Sequence, residues 1–286
     1  MAGESRGTLY LCATPLGNLE DITLRALRIL KEVDLIAAED TRLTRRLLAR
    51  YAIHTPLTSY HEHNKKKKGE HLLGLLRLGK QVALVTDAGL PGISDPGEEM
   101  VAAAVEEGIR VVPVPGPSAA LTALIVSGLP ASRFCFEGFL PADAGGREKR
   151  LQDLKAERRT LIFYEAPHRL RKTLAAMLSV LGDRRVAVAR ELTKVHEEVW
   201  RGNISAALEY FREPRGEFTL VVEGAAEKAA GREPVSWPAV CREVNFLVAA
   251  GMDKREAIKE TARKFGLPRR EVYRALVEEK AGAGKD

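Results

Sequence analysis

The sequence predicts an α/β fold: two α/β domains, the first on a parallel sheet and the second on a mixed sheet, then a small helical C-terminal unit. Three observations carry this. From Thr8 to Pro115, short apolar or β-branched runs alternate with helical stretches, the pattern of parallel strands joined by crossover helices. After Gly116 the rhythm changes, and strands follow one another more closely. Beyond an Ala/Gly/Glu/Pro-rich stretch the chain is helical again.

In the first domain (1–116), Thr8–Thr14 reads as a strand and Asp21–Val33 as an amphipathic helix with Asp21 as N-cap. Strands follow at Asp34–Ala38, Pro56–Tyr60, Gln81–Thr86 and Arg110–Pro115, and helices at Thr41–Tyr51, Lys65–Leu78 and Pro96–Glu107. The second domain (117–225) opens with a small-residue helix, Ser118–Ser127. Its strands read as Phe134–Phe139, Thr160–Tyr164, Arg185–Ala189, Glu197–Arg201 and Phe218–Val222, with helices near Arg147–Glu157, His168–Leu181 and Ile204–Phe211. Residues 226–236 read as a linker, and 237–286 as a helical tail.

Composition bounds the function. The chain is 45% hydrophobic, enough for real cores. No apolar run approaches the roughly 18–20 residues needed to cross a bilayer. The polar start, Met1–Gly7, does not resemble a signal peptide. Three scattered cysteines, Cys12, Cys135 and Cys241, read as reduced thiols in a cytoplasm. The net charge of +6 permits a nucleic-acid partner without requiring one.

Three turns at strand ends carry the chemistry. Thr14-Pro15-Leu16-Gly17-Asn18 follows the first strand, at the edge where open parallel sheets bind ligands. Asp87–Gly97 follows the fourth, with three glycines and two prolines, more than a generic turn needs. Its Asp87 can accept hydrogen bonds from a ribose diol or an ammonium group, and its glycines let a ligand lie against main chain. Val114-Pro115-Gly116-Pro117-Ser118 follows the fifth and leads into small residues, with Ser118 as a natural N-cap. No Gly-x-Gly-x-x-Gly follows a strand, and there is no P-loop or Gly-x-Ser-x-Gly, which argues against nicotinamide, NTPase and serine-hydrolase chemistry. His61 and His63 lack a third ligand at metal-site spacing.

In the same order, these turns resemble those of the tetrapyrrole-methylase superfamily. The closer resemblance is to the ribosomal RNA small subunit methyltransferase I family. It rests also on Asp21-Ile22-Thr23, Ala38-Glu39-Asp40-Thr41-Arg42, Ser59-Tyr60-His61-Glu62-His63-Asn64, Ser127-Gly128-Leu129-Pro130, Glu137–Pro141, Tyr164-Glu165-Ala166-Pro167-His168-Arg169 and Ala189–Lys194. It spans roughly residues 8–224, with small departures at Ala166 and Leu90–Gly92. The resemblance implies S-adenosylmethionine folded into a cleft between two α/β domains, and a homodimer. It implies 2′-O-methylation of a cytidine ribose in the decoding region of 16S rRNA, within the small ribosomal subunit. Carried over by position, it implies cofactor contacts at Pro15, Asp87, Gly89, Ile93, Ser118, Ala119 and Tyr164.

A ribose hydroxyl is a weak acid, so alignment supplies much of the rate and a base should assist. Glu39, Asp40, Glu165, and Glu191 with Lys194 are the candidates, and sequence does not choose among them. Arg42, Lys65, Lys66 and Arg169 are candidate RNA contacts in the body. In the tail, Asp253–Phe265, a Gly266-Leu267-Pro268 turn and Arg269–Glu278 outline a helix-turn-helix, with Ala257, Ile258, Thr261, Ala262, Phe265, Val272, Leu276 and Val277 inward. Eight Lys/Arg face four Asp/Glu between Asp253 and Arg274, and Arg255, Lys259, Arg269, Arg270 and Arg274 are its candidate RNA contacts. The alternatives are methylation of a tetrapyrrole precursor and a non-enzymatic nucleic-acid-binding protein.

Overall fold

A computed structural model describes residues 6–94, 97–226 and 236–282. It separates into two compact units, Met1–Ala225 and Ala226–Asp286. Residues 227–235, most of the stretch read as a linker, and Asp95 and Pro96 of the long loop lie outside the described residues.

The first half of the larger unit runs β1 (Thr8–Cys12), α1 (Leu24–Glu32), β2 (Leu35–Ala38), α2 (Thr41–Arg50), β3 (Leu57–Ser59), α3 (Lys65–Arg77), β4 (Val82–Val85), α4 (Glu98–Glu106) and β5 (Arg110–Val114). The sheet is wholly parallel in the order β3-β2-β4-β1-β5. Every residue of β4 is buried, as a parallel sheet covered on both faces requires. Ala26, Ile29, Leu47 and Leu48 of α1 and α2 pack with Ala83 and Val85. Leu72, Leu76 and Met100 of α3 and α4 pack with Val82 and Leu84, the opposite face by strand alternation.

This topology creates a crevice. The connection from β2 runs outward to β3, while that from the adjacent β4 runs the other way to β5. Right-handed crossovers then send the two loops to opposite faces, which opens a gap at the carboxyl ends of β2 and β4.

The second half contains α5 (Ala119–Val126), β6 (Phe134–Phe139), α6 (Ala144–Leu154), β7 (Thr160–Glu165), α7 (Pro167–Leu181), β8 (Arg185–Arg190), β9 (Glu198–Asn203), α8 (Ile204–Tyr210) and β10 (Phe218–Val222). Its sheet is mixed, in the order β6-β7-β10-β8-β9, with β6 and β7 parallel and the remaining neighbours antiparallel. Helix α5 covers one face through Ala120, Ala123 and Leu124, and α6, α7 and α8 cover the other.

Two caps differ from expectation. Asp21 does not cap α1: Leu19–Asp21 forms a 3₁₀ turn capped by Asn18, and Thr23 accepts the Ala26 N–H. Both Asp and Thr are good caps, and the extra turn delays the helix by two residues. Ser118 holds the N-cap position of α5, but its side chain makes no capping hydrogen bond.

The smaller unit, taken by itself, packs α9 (Trp237–Ala249), α10 (Lys254–Lys264) and α11 (Arg269–Gly282) around Val240, Val244, Ala257, Ile258, Leu267, Val272 and Leu276. Val277, read as inward, is 49% exposed, and Phe265 is also exposed. The third helix, α9, selects which of the periodic positions are covered.

Candidate active site

The β1 and β4 loops are stitched together. Thr14 N–H donates to the Gly89 carbonyl at 2.9 Å, Gly89 N–H returns to the Thr14 carbonyl at 3.0 Å, and the Thr14 hydroxyl donates to the Thr86 carbonyl at 2.9 Å. Gly89 has φ +85°, and a Cβ there would meet Leu16 Cδ2 at 3.4 Å and the Pro117 carbonyl at 3.5 Å. The positive φ is what favours glycine here, the contacts being of ordinary van der Waals length.

Across from this edge, Phe139, Tyr164, Ala189, Leu192 and Phe218 of the second half close a cavity of about 360 Å³. Its walls are mainly apolar, with Glu39, Asp87, Ser118, Glu217 and Thr219 among the few polar groups, the usual make-up of a small-molecule site. Asp87, Gly89, Ile93, Ser118, Ala119 and Tyr164 come together in its lining. Pro15 does not. It lies in a second cavity of about 550 Å³, with Leu19, Leu43, Arg46, Leu47 and Lys194. The two cavities share Leu16, Asp87, Ala88 and Glu217. Glu217 carried no sequence signal: it belongs to no motif and sits one residue before β10.

The candidate bases stand in different states. Asp40 caps α2 through the Arg42 N–H at 2.7 Å and is gripped by the Arg42 guanidinium at 2.8 and 3.2 Å, which holds its carboxyl down at about 2. Glu165 is 3% exposed. It accepts the Ala166 N–H at 2.9 Å and the Thr173 hydroxyl. Arg169 Nε lies 3.2 Å away, an ion-pair distance without hydrogen-bond direction. Glu191 accepts Lys194 Nζ at 3.0 Å and the Glu217 N–H at 2.9 Å. Burial works against its charged form, but these two donors prevail and hold its carboxyl below the ordinary range. Lys194 also binds Glu217 at 3.0 Å, and its ammonium is held above its usual value despite burial.

Glu39 differs from the others. Its carboxylate makes no ion pair among the described residues, and the Asp87 N–H reaches it only at 3.5 Å. Burial first, then the Asp87 charge, push its carboxyl above the ordinary range, while the Asp87 N–H and His61 pull the other way. Asp87 is pushed up as well, by burial and the Asp40 charge, against the Asp40 N–H that it accepts at 2.9 Å.

The Glu191–Lys194 loop is a clasp between the two halves. Glu191 and Thr193 are non-glycine residues at positive φ, +50° and +66°, an uncommon and strained pair. Thr193 Oγ1 accepts the Asn18 N–H at 3.2 Å, and the Lys194 stem lies over Gly17, where a Cβ would stand 2.3 Å from Lys194 Cγ.

Several basic residues are already engaged. Arg169 is turned inward, against the expectation of an RNA contact, because Glu165 and the Leu140 and Pro141 carbonyls take its guanidinium. Lys65 binds Glu62 at 2.8 Å and Glu99 at 2.6 Å, and Arg42 is held by Asp40. Lys66, Arg45 and Arg46 are exposed and make no ion pair among the described residues. In the helical unit, Arg255, Arg269 and Arg270 are exposed and equally unpaired, whereas Lys259 and Arg274 lie near Glu256 and Glu278.

The fold and cavity are those of a methyltransferase class: the family model for tetrapyrrole (corrin/porphyrin) methylases matches residues 8–208. A crystal structure of uroporphyrin-III-C-methyltransferase from Thermus thermophilus superposes with a TM-score of 0.56 at 24% identity, covering 76% of this chain and 94% of that one. Ribosomal RNA small subunit methyltransferase I of Halalkalibacterium halodurans is 51% identical over 274 residues, 94% of each chain. The protein of the same name from Thermotoga maritima is 52% identical over 220 residues, 76% of this chain but 99% of its own. The chain belongs to the ribosomal RNA small subunit methyltransferase I family, and it is an S-adenosylmethionine-dependent methyltransferase.

The residues present fit this cofactor. The 360 Å³ cavity has mainly apolar walls for the adenine. Carboxylates at Asp87 and Glu217 offer partners to a ligand that carries a sulfonium and an ammonium.

Proposed function

We propose that this protein 2′-O-methylates the ribose of a cytidine in the decoding region of 16S rRNA, within the small ribosomal subunit. The observation that carries this reading is the 51% identity, over 94% of both chains, to a relative whose name specifies small-subunit ribosomal RNA. In this reading Asp87, Gly89, Ile93, Ser118, Ala119 and Tyr164 hold the cofactor in the first cavity. The acceptor nucleotide enters through the second, meeting the cofactor at the shared wall of Leu16, Asp87 and Ala88. Arg46 at the rim of that cavity, with Lys66, Arg45 and the exposed arginines Arg255, Arg269 and Arg270, meets phosphates.

The bound cofactor supplies an activated methyl group, so the protein has to bind, align and exclude water. The apolar side chains of Leu16, Phe139, Leu192 and Phe218 serve the last of these. The reading implies a cytoplasmic protein. The described helices include none long and apolar enough to cross a membrane. It also implies a homodimer. In support, α5 has no charged residue, yet Leu121 and Ile125 on it are 47% and 74% exposed, an apolar surface that a second copy would cover.

Mapping ribose methylation in rRNA from a strain lacking this gene tests the reading. It predicts loss of one 2′-O-methyl mark on 16S rRNA, restored by the intact gene. An unchanged 16S map, or methyl transfer only to a tetrapyrrole precursor in vitro, overturns it.

A further inference from the structure

The inference here rests on the reading above and concerns the proton that the acceptor hydroxyl must lose. Asp87 and Glu39 are the carboxylates at the β2/β4 crevice; Glu165 and Glu217 line the cavity as well, Glu217 committed to Lys194, and Asp40 and Glu191 are their neighbours in contact. Asp40 is committed to the α2 N-terminus and to Arg42, Glu165 to Thr173 and Arg169, and Glu191 to Lys194 and Glu217. Asp87 spends one oxygen on the Asp40 N–H. Glu39 is half-buried, lines the cavity, and keeps both oxygens free of any bond shorter than 3.5 Å among the described residues.

We propose that Glu39 is the catalytic base, taking the proton of the attacking ribose 2′-hydroxyl at its carboxylate. The 2′-oxygen forms its bond to the methyl carbon while the bond from that carbon to sulfur breaks, and that electron pair stays on sulfur. The hydroxyl proton passes to Glu39. A cationic donor and an anionic carboxylate become a neutral thioether and a neutral acid, so charge balances, and loss of the proton to water restores Glu39.

The surroundings suit the task. A carboxylate at its ordinary proton affinity is a poor match for a ribose hydroxyl, and raising that affinity improves the transfer. The charged and titratable groups facing Glu39 come from three loops: Asp40 beside it, Asp87 after β4, and His61 after β3. The two aspartates favour the protonated form and a charged His61 opposes it, while burial adds to the aspartates. The rate should therefore fall as pH drops through a value above the ordinary glutamate range.

The test uses the whole protein with purified small ribosomal subunits. Single-turnover methyl transfer is measured against pH for the parent and for Glu39→Gln, which keeps an oxygen for the Asp87 N–H. Cofactor affinity is measured by calorimetry, and carboxyl titration by carbon-13 NMR with labelled glutamate. Glu39→Gln should slow transfer by about a hundredfold or more, the usual contribution of a general base. It should leave the cofactor Kd within about twofold, because the change is in the transition state rather than the ground state. It should also remove the acid limb of the pH profile, along with one glutamate resonance titrating at that same pH. Transfer within about threefold of the parent overturns the assignment, as does a retained acid limb or a lost cofactor affinity, since none of these is what loss of a base produces. If the parent itself methylates no RNA, the functional reading fails instead, and the missing resonance still reports whether Glu39 has a raised proton affinity.

Discussion

The two halves of the larger unit bring carboxylates to one cavity in opposite conditions. The parallel-sheet half presents Glu39 and Asp87, which make no ion pair among the described residues and whose proton affinity is raised. The mixed-sheet half presents Glu165 and Glu217, bound to Arg169, Thr173 and Lys194, with Glu191 on the same lysine behind them. The difference separates two jobs. A carboxylate that must take a proton has to be left unsatisfied, at some cost to stability. A carboxylate that holds a turn in place has to be satisfied, and is then useless as a base.

The largest expected effect breaks the second job. Glu165→Ala leaves the Thr173 hydroxyl without its acceptor and the Arg169 charge without its counter-ion, and should destabilise the fold by about 3–5 kcal/mol. Thermal unfolding checks this. Glu39→Gln should unfold no earlier than the parent at neutral pH. Its folded-state pKa is raised, so any stability linked to that group is present at low pH and lost as pH rises. If Glu39→Gln destabilises as much as Glu165→Ala, the contrast between the halves collapses.

Next, Asp87→Asn keeps an oxygen for the Asp40 N–H but loses the charge at the wall shared by both cavities. Losing a charged hydrogen bond costs about 1.5–3 kcal/mol, so the cofactor Kd should rise roughly ten- to a hundredfold. Calorimetry with S-adenosylmethionine measures it.

The clasp between the halves is a smaller test. Gly17→Ala puts a Cβ 2.3 Å from the present Lys194 Cγ and should displace that side chain, while Lys194→Ala removes it. Each should cost about 1–2 kcal/mol. Because both break the same contact, the double variant should cost less than the sum, and strict additivity would show that Lys194 does not connect the halves.

The smallest effect concerns the helical unit. The Thermotoga maritima relative is covered almost completely by 220 residues of this chain, so a protein of that name can lack about a quarter of the sequence. Truncation from Glu233 should leave cofactor affinity intact and weaken activity on small subunits without abolishing it. Each lost phosphate contact should also flatten the salt dependence of RNA affinity, by about 0.7–0.9 in the log–log slope. Unchanged activity and slope would remove the helical unit from RNA binding.

Most of the architecture was readable because its signals are local. Apolar runs of four or five residues, spaced by helices, point to the parallel sheet, and the Gly/Pro-rich turns mark the strand ends that meet at the cavity. The Asp40 cap is equally local, because an aspartate before Thr41 acts through its own neighbours. The misreadings involve distant partners. Arg169 reads as a candidate RNA contact until the carbonyls of Leu140 and Pro141 are brought beside it. Glu217 becomes a wall of both cavities only because β10 is threaded between β7 and β8. The base was undecidable from sequence for a related reason: the cations near Glu165 and Glu191 are only four and three residues away, but that Glu39 makes no ion pair among the described residues, and faces Asp87 from a distant loop, emerges only in the fold.

The most direct measurement is methyl transfer from labelled S-adenosylmethionine to purified small ribosomal subunits, followed by alkaline hydrolysis of the 16S rRNA. Alkali cleaves RNA through the free 2′-hydroxyl, so a ribose methyl group protects one linkage. The account predicts a single protected cytidine in the decoding region that carries the label, formed by the parent and nearly lost with Glu39→Gln. Label on a base with no protected linkage, or no label on RNA at all, would contradict it.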